Sequence, residues 1–286
     1  MLKSLSNTQK GILAAFAGFT GFAFADACSK WLGAHYESIN IIFWVYYLAM
    51  FFGLALSPFL GGFKQTLKTT KLHLHILRGA CAMAVGILIV TALSQGMQLA
   101  TMYTILFLAP FLTTIAAMPI FKERVPPRDW IIIAIGFSGI IVAFHDGLTT
   151  ITPEIIYVLQ ALVFIVFLGL LARPLGNETI ISLSLFPSIT IAVLMSVMFW
   201  GDIELPQMIH WPIFIFNSFC VMLGLSGIAY GYRIAPYSIV APVHYSQMVI
   251  ALILGYCIFG DLPDIWMLVG AGIIIASGIM MVRNKE

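Results

Sequence analysis

Long apolar segments separated by short polar connections make up almost the whole chain. Ten such segments can be marked, and most are close to the roughly 20 residues that an α-helix needs to cross a bilayer. The pattern predicts an all-α polytopic membrane protein with ten transmembrane helices. The segments cover residues 11–32, 38–60, 76–96, 101–121, 129–145, 153–172, 179–200, 211–232, 237–259 and 264–282.

Composition excludes several functional classes. Hydrophobic residues make up 61% of the chain and charged residues 9%, whereas soluble domains carry about 25% charged residues. Basic residues are scattered singly and form no clustered face, which argues against nucleic-acid binding. The lipid bilayer is therefore a predicted partner, and we further expect a small-molecule substrate and a monomeric or homodimeric protein. The connections are too short for an extramembrane domain, so the chemistry must lie within the helix bundle.

The cysteines point to no metal, disulfide or cofactor. They show no CxxC or Cys/His spacing, and all lie in apolar segments, where a free thiol acts as a small hydrophobic side chain. We expect no zinc site, no disulfide and no cofactor. The four are Cys28, Cys81, Cys220 and Cys257.

The basic residues set the predicted orientation. Cytoplasmic loops of membrane proteins carry an excess of Lys and Arg. If the N-terminus is cytoplasmic, thirteen of the 14 basic residues lie at inner helix ends and only Lys30 lies at an outer end. Both termini are therefore predicted to be cytoplasmic. Acidic residues collect at the outer ends: Glu37, Asp146, Glu154, Asp202, Glu204, Asp261 and Asp264.

The two halves of the chain repeat each other. KWLG (residues 30–33) ends the first segment and RPLG (173–176) ends the sixth, while FKERVPPRDW follows the fourth and FGDLPDIW the ninth. Five helices are thus followed by five more, in residues 1–147 and 148–286. Because five is odd, the second half enters the membrane from the opposite face, which makes the repeat inverted. Several transporter folds are built in this way.

These features resemble the drug/metabolite transporter superfamily, specifically its EamA family. The resemblance is carried by DACSKWLG, HILRG and APVHYSQMVIALILGYCIFGDLPDIWMLVGAGIIIASG. It implies a multi-pass protein of the bacterial inner membrane, not an enzyme, that carries small metabolites by alternating access. The D-x-x-SK-x-LG and HILRG stretches are similar to S-adenosylmethionine carriers, so an amino acid or such a derivative is one candidate substrate. Export of amino acids or drugs is the alternative. The second helix, FWVYYLAMFF, lacks the Arg often found there.

The ninth segment carries the main candidate binding residues. Aligning the two halves pairs Leu106 with His244 and Ala109 with Gln247, so the second half is polar where the first is apolar. Polar groups within a membrane span are costly and indicate a site. His244, Gln247 and Met248 follow helical spacing, and we predict that they bind substrate together with Tyr245. The alternative for His244 is a hydrogen bond to a neighbouring helix.

Aromatic residues in other segments are candidate cavity walls. Trp44 and Tyr47 lie three residues apart on the second helix, and Tyr103 and Tyr230 lie in the fourth and eighth segments. Their rings can stack on a planar substrate. For Tyr103 and Tyr230 the alternative is the aromatic belt at the membrane interface.

Charged and proline residues are candidates for gating or coupling. Asp26 lies within the first segment and Lys30 follows at i+4, so the two form either a structural ion pair or an outer gate with a proton-coupling carboxylate. Pro110 and Pro242 predict kinks, which are either hinges or static. Arg78, at the cytoplasmic start of the third segment, is interpreted first as a lipid-phosphate ligand and second as a ligand for a substrate carboxylate.

Two rival classes are less well supported by the sequence. A polytopic enzyme acting on lipid requires His, Asp or Glu clustered at one face, and the acids here are spread over separate loops. A passive channel is built from rings of like residues, which an inverted repeat within one chain does not supply.

Overall fold

The computed structural model describes residues 5–59, 62–121, 127–143, 152–175, 178–235 and 240–283. Within these ranges every regular element is helical, so the all-α prediction is confirmed. The α-helices are α1 (Asn7–Leu32), α2 (Ser38–Leu56), α3 (Phe63–Leu67), α4 (Leu72–Ser94), α5 (Leu99–Leu106), α6 (Leu108–Phe121), α7 (Pro127–Ala143), α8 (Pro153–Ala172), α9 (Ser182–Phe199), α10 (Trp211–Ile234), α11 (Tyr245–Leu254) and α12 (Ile265–Arg283).

The helix lengths suit a multi-pass membrane protein. Seven apolar stretches of the described chain are long enough to cross a bilayer, and one of them, Leu99–Phe121, joins α5 and α6. Three shorter apolar helices, Trp130–Ala143, Ser246–Phe259 and Ile265–Ser277, lie in the fifth, ninth and tenth predicted segments. The multi-pass membrane location predicted from hydropathy is therefore supported by the seven long apolar helical stretches of the described residues.

Helix geometry is interrupted near two of the candidate prolines. The fourth segment breaks at Phe107, between α5 and α6, three residues before Pro110. The ninth segment opens with a 3-10 turn at Ala241–His244, which contains Pro242, and ends with a π turn at Gly255–Phe259. A proline removes a backbone donor and clashes with the preceding turn, so irregular geometry there is expected. The side chains of Pro110 and Pro242 lie outside the described part of the structure.

The bundle is held together by helix pairs that come from opposite halves of the chain. The most extensive pairings are α1 with α10, α4 with α8, α2 with α9 and α7 with α12. In each pair one helix belongs to the first five predicted segments and the other to the last five. The two halves therefore interdigitate and do not form separate bodies.

Glycines allow two of these pairs to approach backbone to backbone. A Cβ added to Gly227 of α10 would lie 2.5 Å from the carbonyl oxygen of Ala14 in α1. A Cβ on Gly270 of α12 would lie 2.3 Å from the carbonyl oxygen of Gly139 in α7. Small residues at such contacts are typical of membrane helices, because packing replaces the hydrophobic effect that lipid does not provide.

We expect Gly270→Ala to destabilise the protein by about 1–3 kcal/mol, the usual cost of overpacking, because the new methyl group collides with the α7 backbone. The measurement is the melting temperature of the purified protein in detergent. Gly272→Ala is the matched control, since it lies on the same helix with nothing within 4 Å of its added Cβ. Ala favours helix over Gly, so the control should melt no lower than the parent. Equal melting temperatures for the two variants would show that the α7–α12 contact is looser than described.

Candidate binding cavity

A cavity of about 180 Å³ lies inside the helix bundle. Its walls come from α1, α2, α4, α5, α6, α8, α10 and the polypeptide around the start of α11, so both halves of the chain contribute. Most lining residues are apolar. The polar lining residues are Asp26, Ser29, Tyr46, Arg78, Thr113, Tyr232, His244 and Gln247.

A buried hydrogen-bond chain fixes one polar end of the cavity. The Tyr103 hydroxyl donates to Asp26 Oδ2, and Gln247 Nε2 donates to the Tyr103 oxygen at 2.9 Å. Tyr103 has no exposed surface, while Asp26 and Gln247 line the cavity. Satisfied polar networks in a low-dielectric interior hold their members in one geometry. The chain therefore joins α1, α5 and α11 and orients the Asp26 carboxyl group at the cavity wall.

His244 forms an aromatic part of the cavity wall. Its imidazole stacks on Phe19 of α1 with 4.5 Å between ring centroids and 16° between planes, and Phe107 meets it edge-on at 5.7 Å. Phe19 also lines the cavity. The ring is thus fixed between two aromatic side chains, with one region of its surface directed at the cavity.

The aligned positions of the two halves meet at this cavity. Leu106 and Ala109 from the first half line it, as do their counterparts His244 and Gln247 from the second. At these two pairs of aligned positions the first half contributes apolar side chains and the second contributes polar ones, although other residues of the first half, such as Asp26 and Arg78, also give the cavity polar groups.

The predicted ion pair between Asp26 and Lys30 is wrong. Lys30 Nζ lies 2.6 Å from Asp261 Oδ2 and 4.5 Å from the centroid of the Phe259 ring, while Asp26 accepts the bond from Tyr103. Gly260, with φ of 68°, turns the chain after the π turn so that Asp261 faces the end of α1. The long Lys30 side chain extends outward to meet it. The pair therefore joins α1 to the end of the ninth segment.

Four other predicted binding residues lie away from the cavity. Trp44 Nε1 donates to the Glu204 carbonyl oxygen at 2.8 Å, and its ring lies 5.8 Å from that of Tyr47 in an outer aromatic cluster. Tyr230 lies under the Arg233 guanidinium, 4.8 Å away. Met248 is fully buried in the core. Among the described residues that line the cavity, none of Trp44, Tyr47, Tyr230 and Met248 is present.

Met248 belongs to the apolar core of the bundle. It follows Gln247 in α11 and has no exposed surface, whereas Gln247 and His244 reach the cavity. The side chain of Tyr245 lies outside the described part of the structure.

Arg78 is the main lining residue whose role the sequence interpretation misjudged. It is 3% exposed and lines the cavity, and its guanidinium donates to the Leu183 carbonyl oxygen at 3.2 Å. The third segment was predicted to begin at residue 76, but α4 begins at Leu72. The four additional residues place Arg78 almost two turns inside the helix and away from the lipid surface. A predicted segment that began at Leu72 would have identified Arg78 as a residue inside the helix bundle.

These observations define a multi-pass membrane protein whose helix bundle encloses a cavity lined by polar groups from both halves of the chain. Residues 9–145 match the EamA-like transporter family, which confirms the family resemblance seen in the sequence.

Curated relatives extend the similarity over nearly the full length. The chain is 26% identical over 275 residues to the "S-adenosylmethionine uptake transporter" of Rickettsia prowazekii (strain Madrid E), which covers 91% of this chain and 88% of that protein. It is 25% identical over 284 residues to the "Riboflavin transporter" of Brucella anthropi, with 94% and 97% covered. These names point to a transporter of small metabolites rather than to an enzyme.

A solved crystal structure shares the fold. It superimposes with a TM-score of 0.69 over 98% of this chain and 99% of its own, at 13% sequence identity. The likeness concerns the arrangement of helices alone.

The Lys30–Asp261 pair should show energetic coupling. Its side chains are only 11% and 15% exposed, so Lys30→Met or Asp261→Asn alone leaves a largely buried partner without its counter-charge and should destabilise by about 1–3 kcal/mol. The double variant should recover part of that loss, because no unpaired charge remains. Thermal unfolding of the two single variants and the double variant measures this coupling. Glu37→Gln, an exposed outer acid without a side-chain capping bond, is the control. Strictly additive losses would mean that the contact contributes nothing.

Proposed function

We propose that the protein is a secondary active transporter that carries a small organic metabolite across the bacterial inner membrane by alternating access. The observation that carries the proposal is the cavity inside the bundle, which is lined by Asp26, His244 and Gln247 and enclosed by both halves of the chain. Substrate sites of inverted-repeat transporters lie where the repeats meet. The family match and the names of the relatives support transport as the activity.

The proposed architecture is ten membrane helices in a 5+5 inverted repeat, with residues 1–147 and 148–286 as the two halves and both termini cytoplasmic. The helix pairs support it. In such a repeat the first helix corresponds to the sixth and the third to the eighth, so the pairs α1–α10 and α8–α4 are the same contact repeated. The pairs α2–α9 and α7–α12 each join a helix to its own counterpart. This pattern is expected for two halves related by a pseudo-two-fold axis.

The proposed substrate is an amino acid or a derivative such as S-adenosylmethionine. The relatives' printed names support it, and the cavity offers both a carboxyl group and a guanidinium among apolar and aromatic walls. Asp26, His244 and Gln247 are the proposed binding residues, and Tyr103, which is fully buried, is proposed to position Asp26 and Gln247. Uptake is the proposed direction, and export of an amino acid or drug is the alternative that a transport assay separates from it.

Purified protein in liposomes should take up radiolabelled S-adenosylmethionine saturably, and unlabelled substrate inside the vesicles should stimulate uptake. His244→Ala and Gln247→Leu should each lower the initial rate at least tenfold, because a site group that orients substrate contributes on the order of 1.4 kcal/mol or more. Gln95→Leu is the matched control, since Gln95 is exposed. Normal rates in both site variants would move the site elsewhere, and non-saturable flux would indicate a channel.

Asp26 is the proposed proton-coupling group. In Asp26→Asn the side chain can still accept the Tyr103 hydrogen bond but can no longer exchange a proton. We expect uptake by this variant to become independent of pH between about 5 and 8, whereas uptake by the parent varies across that range. The measurement is the initial rate as a function of external pH. An unchanged pH profile would leave Asp26 with a positioning role only.

A further inference from the structure

One acidic and one basic side chain, Asp26 and Arg78, line the cavity at different depths. Asp26 belongs to α1 and Arg78 to α4, and these helices enter the bundle from the same side because one spanning helix, α2, connects them. Gly33 of α1 faces Ser94 of α4, since a Cβ on Gly33 would lie 2.9 Å from that of Ser94. This contact shows which positions of the two helices lie at the same level.

The offset between the two groups follows from helix geometry. Asp26 precedes Gly33 by seven residues and Arg78 precedes Ser94 by sixteen. Arg78 therefore lies nine residues deeper toward the start of the helices, or about 13 Å at 1.5 Å per residue. The ammonium and carboxylate on the α-carbon of a free amino acid are attached to one carbon atom, so these two groups cannot contact Asp26 and Arg78 together.

The wall between the two groups is apolar and partly aromatic. Phe19 and Phe22 of α1 lie on one side, and Val85 of α4 and Leu225 of α10 also contribute. The imidazole of His244 stacks on Phe19 and covers one face of its ring. The wall therefore offers apolar contact to the part of a ligand that spans the two groups.

The Arg78 side chain is oriented for an anion. Its guanidinium has five N–H donors in a planar fork, a geometry that matches a carboxylate. The bond to the Leu183 carbonyl oxygen fixes that plane, and the buried position removes competing water. A carboxylate at this depth would therefore gain a strong charge-assisted contact.

We propose that the cavity binds an elongated molecule whose carboxylate contacts Arg78 and whose other end, a hydrogen-bond-donating amine, faces Asp26. The inference rests on the proposed function and narrows it, since an amino acid whose only amine is on the α-carbon does not reach both groups. The Asp26 oxygens accept from the distant amine, while the hydrogen-bond chain through Tyr103 and Gln247 holds the carboxyl group in place. The apolar wall between the two groups contacts the linker.

Equilibrium binding to the purified full-length chain tests the proposal. The probes are S-adenosylmethionine, its decarboxylated analogue, and the fragments methionine and adenosine. The parent protein should bind the whole molecule at least 100-fold more tightly than either fragment, and loss of the carboxylate should weaken binding roughly 10- to 100-fold, the usual range for a hydrogen bond to a charged group. Fragments that bind as tightly as the whole molecule would overturn the proposal.

The Arg78→Gln variant separates direct contact from a structural role. Glutamine keeps a polar, hydrogen-bond-donating side chain but removes the charge and the planar fork. In this variant the carboxylate should no longer affect affinity. S-adenosylmethionine and its decarboxylated analogue should therefore bind equally weakly. If Arg78→Gln does not fold, Arg78→Lys keeps the charge without the planar fork and should retain only part of the preference. An undiminished preference for the carboxylate in either variant would contradict the proposal.

The result can be distinguished from failure of the transport function itself. Saturable uptake of a compact amino acid by the same preparation, without binding of S-adenosylmethionine, would leave the transporter standing and overturn the elongated substrate. Tight binding of S-adenosylmethionine that depends on Arg78, without vectorial uptake in liposomes, would support the binding mode and overturn the transport function.

Discussion

The hydroxyl group of Tyr103 is the point on which the site depends. It donates to Asp26 and accepts from Gln247, and it thereby connects three helices in a region where water cannot satisfy an unpaired polar group. Without it, two polar side chains would lie in an apolar interior at a cost of several kcal/mol. With it, a carboxyl group and an amide lie at fixed positions beside the cavity, and the apolar packing of α1 against α10 holds them there.

The two corresponding segments contribute different side chains to the cavity. The α5–α6 segment supplies Leu106 and Ala109 to the cavity, and its counterpart supplies His244 and Gln247. Both segments depart from regular α-helix near these positions, at Phe107 and at the 3-10 turn Ala241–His244. Irregular backbone at membrane depth is tolerated where it is enclosed by protein or lines a cavity. Both breaks in the regular helix therefore lie beside the cavity.

Much of the fold and part of the site could be predicted from sequence. Hydropathy located the long apolar helices, because apolar length is a strong signal, but it did not find the short α3. The polar centre of the ninth segment led to His244 and Gln247. Partners distant in sequence could not be found in this way. Spacing considers only neighbours on one helix, so it paired Lys30 with Asp26 and could not foresee Asp261, 231 residues away. Arg78 was misjudged because of a four-residue error in one helix start.

Accessibility of the cavity from the two sides of the membrane tests the central claim most directly. Ala82 lines the cavity and is buried, so Ala82→Cys in a cysteine-free background provides a single reporter thiol. The experiment measures its labelling by a membrane-impermeant thiol reagent added to either side of sealed vesicles, with and without substrate. Alternating access predicts labelling from both sides and protection by substrate. Labelling from one side only, at a rate that substrate does not change, would contradict it.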